Sequence, residues 1–183
     1  MLLQSMLWTC NKCPSYEYFK LSQFDKGYLL DGAVIAYEGV PLLMNYKIEC
    51  DETWRTKSAV ITQEQLGKTN RLTLKPDSAN GWLVNEIPQP SLSGIVDVDL
   101  EFSPSTNTLP IRRLNLKVGE SASVDTLWVR LNDLKAMKSS QRYTRLDENR
   151  YCYENPTLNF TATLDVDELG LVVRYGNLWW KMG

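Results

Sequence analysis

Apolar and polar residues alternate with a period of two along much of the chain. In the run from Gly94 to Phe102, Ile95, Asp97, Asp99 and Glu101 share one side, and Val96, Val98, Leu100 and Phe102 share the other. Phe160, Ala162, Leu164 and Val166 alternate with Thr161, Thr163, Asp165 and Asp167 in the same way. This period predicts strands with one apolar face turned inward and one polar face against water or a polar cavity. Further strand-like runs cover 16–21, 32–37, 41–50, 57–62, 71–75, 81–84, 125–131, 142–147, 150–154 and 171–175. Gly27, Asp31-Gly32, Gly39, Asn80-Gly81, Gly119, Gly170 and Gly176 read as the turns between them. The stretch Val124 to Lys138 fits a helical period as well, and strand is the reading adopted there. The chain is mainly β. No repeat, linker or low-complexity segment divides residues 1–183, so a single domain is expected.

One segment breaks the alternation. Ser103 to Gly119 reads as a capped helix over about residues 107–118. Thr106 or Asn107 is the candidate N-cap, Pro110 is tolerated in the first turn, and Gly119 is the expected stop. Leu109, Arg112, Arg113 and Leu116 then fall on one face. Two arginines beside an apolar stripe need carboxylate partners where they are buried, and Asp97 and Asp99 point together one strand upstream.

Composition narrows the chemistry. The 183 residues include no histidine, which removes Ser-His-Asp and Cys-His nucleophile schemes and His-ligated metals. Twenty Lys and Arg against 22 Asp and Glu give a net charge of −2, so a general nucleic-acid binder is not expected. Six Trp and nine Tyr suit both a core and a ligand pocket. The start, Met1 to Cys10, resembles a signal peptide only briefly: it lacks a basic segment and its apolar run breaks at Gln4 and Ser5. No run reaches the length of a membrane span, and a cytoplasmic protein is expected. Cys10 and Cys13 form a C-x-x-C, open to a structural, metal or redox reading; zinc would need Cys50, Cys152 or carboxylates as further ligands.

The sequence also carries a family resemblance. Asp97-Val98-Asp99-Leu100 followed by Thr106-Asn107-Thr108-Leu109-Pro110-Ile111-Arg112-Arg113-Leu114 resembles the bacterial putative glycolipid-binding family, formerly a domain of unknown function. Tyr46, Asp51, Trp54-Arg55-Thr56 and Gly81-Trp82 fit upstream. Gln141, Tyr143-Thr144, Tyr151, Tyr153, Phe160-Thr161-Ala162, Val166-Asp167 and Gly170-Leu171-Val172 fit downstream. Ser103-Pro104-Ser105 departs from the family's usual Thr-Pro-Phe, which either leaves room in the pocket or reflects drift, and Gly176 stands in place of a proline. The resemblance implies a spiral β-roll, a long antiparallel sheet curled around a single helix, assembled as a tight homodimer. It implies binding of a glycolipid or related lipid rather than catalysis.

Several residues then have two readings. Arg112 and Arg113 offer bidentate donors to a phosphate or carboxylate head group, or tie the helix to the sheet through Asp97 and Asp99. Trp54 packs on a sugar ring with Arg55 on a hydroxyl or phosphate, or belongs to the core. Tyr143 and Thr144 orient a ligand through their hydroxyls, or pair across strands. Trp179-Trp180 is a dimer contact or core packing. The reading adopted is a non-enzymatic binding protein without metal or cofactor, holding a small amphiphilic ligand between sheet and helix. The alternatives are a metal-dependent hydrolase of a phosphorylated small molecule built on Asp97 and Asp99, and a purely structural protein.

Overall fold

The computed structural model describes residues 1–12, 14–79 and 81–183. The chain first lays down β1 (Leu2–Cys10), β2 (Ser15–Phe24), β3 (Gly27–Tyr37), β4 (Pro41–Cys50), β5 (Thr56–Gln65), β6 (Lys68–Pro76), β7 (Trp82–Val84) and β8 (Ile87–Gln89). It then crosses the molecule to β9 (Asp97–Leu100) and α1 (Thr108–Leu114). β10 (Ser121–Val129), β11 (Ala136–Arg145), β12 (Arg150–Asn155), β13 (Phe160–Val166), β14 (Val172–Tyr175) and β15 (Trp179–Lys181) complete it. All belong to one open sheet of 15 strands, in the order β8 to β1 and then β15 to β9. Neighbours are antiparallel except β9, which runs parallel to β10. Residues 90–96 connect the two edge strands β8 and β9, so the sheet must curl until its edges approach. β9 then packs on β5, and the Gln63 side chain of β5 donates to the Leu131 carbonyl after β10 at 2.7 Å. The fold is mainly β, one long sheet rolled around one helix.

The curl follows from the period of two. On β4, Leu42, Met44, Tyr46, Ile48 and Cys50 are buried, and the residues between them face outward. Each such side chain contributes roughly 1.5–3 kcal/mol when fully buried. Gly32 sits within β3 rather than in a turn, because a Cβ there would lie 2.3 Å from the Tyr46 ring.

Other expectations are met or corrected. Leu2–Cys10 is the strand that joins the two halves of the sheet, with Trp8 fully buried. The stretch 124–138 is strand, turn and strand, since β10 pairs with β11 along its whole length. The helix is shorter than 107–118. A 3₁₀ turn over Ser105–Asn107 leads into α1, which ends at Asn115 in the left-handed region with φ 44°. Asn tolerates that conformation, so Gly119 is not the stop. Neither Thr106 nor Asn107 caps the helix. The Thr106 hydroxyl accepts from the Leu100 amide and donates to Asp99, and Asn107 donates to the Pro104 carbonyl. The polar side of β9 does not meet water either, for Asp97 is fully buried.

The middle of the roll is filled. Glu17 on β2 accepts from the Tyr46 hydroxyl at 2.5 Å and the Ser103 hydroxyl at 2.8 Å, and Ser105 lies 2.6 Å from the Tyr46 oxygen. The room expected at Ser105 is therefore occupied by the Tyr46 hydroxyl, and Ser105 is fully buried. Burial pushes Glu17 up to about 8, against the opposing bonds from Tyr46 and Ser103, and its Oε2 has no hydrogen-bond partner among the described residues. Trp179 packs into the same core, while Trp180 remains half-buried on the other face of β15. Cys13 lies outside the described residues. Among them, no group of three or more His, Cys, Asp or Glu side chains is placed to hold a metal ion.

Candidate functional site

The site begins with a tight turn after β4. The Asp51 carboxylate accepts from the Thr53 amide at 2.8 Å, the Thr53 hydroxyl at 2.7 Å and the Arg55 amide at 3.0 Å. Its slight burial acts upward, but these bonds and the nearby Arg55 charge together hold it below its ordinary value. The turn forces Trp54 into the left-handed region at φ 66°, an outlier for a bulky residue. Trp54 stacks on Tyr28 at the start of β3, with ring centroids 4.0 Å apart. The Arg112 guanidinium lies over the same ring, 5.4 Å from its centroid. A ring stacked on one side takes a cation only from the other, so both faces of Trp54 are occupied. The ring is a platform for Arg112 rather than a free surface for a sugar.

The last turn of α1 supplies the opposite wall. Arg113 makes a two-point contact with Asp97, Nε to Oδ1 at 3.0 Å and Nη2 to Oδ2 at 2.5 Å. That hydrogen bond raises Arg113 above its usual value, while burial raises Asp97 and Arg113 offsets part of the effect. Arg112, one residue earlier, makes no hydrogen bond or ion pair among the described residues. The loop after β13 closes beside it. Asp167 accepts from the Leu169 and Leu171 amides, and Thr108 donates to the Gly170 carbonyl at 3.0 Å. A Cβ on Gly170, at φ 76°, would come 2.9 Å from Arg112 Cδ, so a larger residue there would be strained and would push the arginine stem aside. Arg145 completes the wall from β11. It donates to the carbonyls of Leu116, Asp147 and Glu148, and its guanidinium lies over Tyr151.

These walls enclose a cavity of about 460 Å³ between the end of α1 and the ends of β3, β4, β12 and β13. Its lining mixes donors, Arg112, Arg113, Arg145 and Asn149, with acceptors, Glu52, Glu148 and Glu168, beside the ring edges of Tyr28 and Trp54. A hydroxyl both donates and accepts, so a lining of this kind matches a polyhydroxyl group.

Of the residues singled out in the sequence, Trp54, Arg112 and Arg113 meet in this cavity. Arg55 lines a separate hollow of about 280 Å³ with Thr56, Asp77, Trp82 and Ile95. Tyr143 is buried and donates to Asn107 at 3.0 Å. Thr144 faces the other side of the sheet, 2.7 Å from the Ser121 hydroxyl. Asp99 takes no arginine: it accepts from Gln141 at 2.6 Å and Thr106 at 3.1 Å, and burial pushes it up to about 6. Arg145, Tyr28 and Gly170 also line the cavity, although they were not among the site residues expected from sequence. For Arg145 the signal was present, since Gln141, Tyr143 and Arg145 share one face of β11.

The family model described as "Putative glycolipid-binding" matches residues 5–181. The chain belongs to this family. The match runs from β1 to β15. A crystal structure of a DUF1089 family protein from Pseudomonas aeruginosa is similar at 33% identity, with a TM-score of 0.82 over 92% of each chain. No curated protein matches the chain. No helix is long and apolar enough to cross a membrane among the described residues.

Proposed function

We propose that this member of the glycolipid-binding family is a non-enzymatic binding protein for the hydroxylated head group of an amphiphilic, glycolipid-type ligand. The head group enters the cavity between the end of α1 and the strand ends and meets Arg112, Arg113 and Arg145 at one wall. The observation that carries this reading is the cavity itself, whose mixed donors and acceptors surround one guanidinium with no protein acceptor. Asp97 and Asp99 favour this reading over a hydrolase, because Arg113 already engages both oxygens of Asp97. The protein works as a homodimer, and the outer face of β1–β3 supports that. Leu7 pairs with Tyr18 and Tyr16 with Ile35, and with Tyr37 they form an exposed apolar patch on which a second copy would pack.

The test is native mass spectrometry of the protein purified from its own host, followed by thermal shift with the lipids identified. A co-purifying glycolipid that raises the melting temperature supports the proposal. A protein that carries no lipid and is stabilised by none would remove it.

A further inference from the structure

We infer that the head group carries one negatively charged oxyanion, a carboxylate or a phosphodiester, and that Arg112 is the residue that reads it. This rests on the reading of the cavity as the head-group site.

Three arginines line the cavity, and two of them are already committed. Arg113 is held by Asp97, and Arg145 by three backbone carbonyls. Arg112 alone has no hydrogen-bond acceptor among the described residues, yet it is held in position by its surroundings. Trp54 supports the plane of its guanidinium, Tyr28 backs Trp54, and Gly170 admits its stem. Trp54 and Gly170 both hold left-handed backbone, at φ 66° and φ 76°. Strain of this kind at a bulky residue persists only where the surroundings enforce it, and it collects at ligand sites. A solvent-facing arginine with no ligand would need neither the platform nor the slot. A guanidinium fixed in this way offers parallel N–H donors to an oxyanion with little further loss of side-chain freedom.

The carboxylates in the same lining limit the charge. Glu52, Glu148, Asp167 and Glu168 repel a second negative group and accept from hydroxyls. The combination selects a hydroxylated head group with one charge, such as a hexuronate or a polyol phosphodiester.

Calorimetric titration with three probes tests this: a methyl glucuronoside, the matching neutral methyl glucoside, and glycerophosphoglycerol as the phosphodiester. NMR of the Trp54 indole and the Arg112 Nε–H locates each binding event. We expect the glucuronoside, the phosphodiester or both to bind about tenfold or more tightly than the glucoside. Arg112→Gln should bring the charged probe down toward the glucoside's level and weaken the glucoside by a much smaller factor. Arg112→Lys, which keeps the charge without the planar fork, should recover only part. Which charged probe wins separates carboxylate from phosphate. Equal binding of charged and neutral probes, indifferent to Arg112→Gln, overturns the charge inference and leaves the head-group site standing. No shift at Trp54 or Arg112 with any probe overturns both. Arg112 is exposed, so an unchanged melting temperature will show that the variants remain folded.

Discussion

Glu17→Gln changes how stability depends on pH. In the folded protein the Glu17 carboxyl is fully buried beside Tyr46 and Ser103 and keeps its proton up to about 8, against 4.5 for the free group. Below the lower value both folded and unfolded chains hold the proton, and Glu17 adds no pH dependence. Between the two values the unfolded chain has released its proton and the folded one has not, so stability falls as pH rises. The slope is about 1.4 kcal/mol per pH unit, which sums to an upper bound on the order of 5 kcal/mol across the window. Above about pH 8 the loss is complete. The Gln variant keeps an oxygen to accept from Tyr46 and Ser103 and has nothing to titrate. Urea unfolding followed by circular dichroism at several values between about pH 5 and pH 8 should show the two proteins converging at the acid end. They should diverge at the alkaline end, with the variant more stable. Other groups titrate in both proteins alike, so the difference isolates Glu17. Parallel slopes, or a wild type that gains on the variant as pH rises, would refute the assignment of a neutral buried carboxyl.

Three further outcomes follow from the same contacts. Asp97→Asn leaves the half-buried Arg113 without its charge partner and should cost about 3 kcal/mol in urea unfolding. Asp51→Ala removes the acceptor of three donors in the Trp54 turn. It should cost about 1–2 kcal/mol and weaken binding of the charged probe, read by calorimetry, because Arg112 loses its support. Ile35→Lys places a charge in the outer apolar patch and should shift sedimentation toward the monomer with the melting behaviour of the monomer unchanged.

Local pattern made the regular part of the fold legible. β4 is read from Pro41 to Cys50 with the same limits in sequence and structure, because its alternation is clean and turns bound it on both sides. β1 is not, since Met1 to Leu3 and Leu7-Trp8 mimic an apolar leader and the partners that make them a strand lie on β2 and β15. β15 has three residues, too few for a period to show. The helix end was missed because Asn115 fits an amphipathic stripe, and only its left-handed backbone stops the helix. For the site, one carrier motif, Arg112-Arg113, was visible as a motif. Tyr28, Trp54, Arg145 and Gly170 come from four separate connections or strand ends, and only the curl brings them to one cavity. Trp54 was visible as a residue but not as a platform, for its two stacking partners are distant in sequence.

The filled middle decides what kind of binder such a roll can be. An acyl carrier needs an apolar channel, and drug-sized ligands take cavities of roughly 300–1,000 Å³. Beside the start of the helix the space is about 140 Å³, hemmed in by Ser103, Asn107 and Tyr153. A larger hollow of about 440 Å³ opens near Val34, Phe102 and Trp179, but it lies at the opposite ends of β2 and β3 from the arginine cavity. Between the two stand α1, the Glu17–Tyr46–Ser103–Ser105 cluster and the aliphatic core. A single ligand cannot thread that distance without unpacking buried side chains, each about 1.5–3 kcal/mol of burial. On the proposed reading, the arginine cavity takes the head group and leaves its apolar chain outside the roll, on the rim or in whatever assembly presents it. The fold acts as a rigid frame that brings Arg112 to one open end.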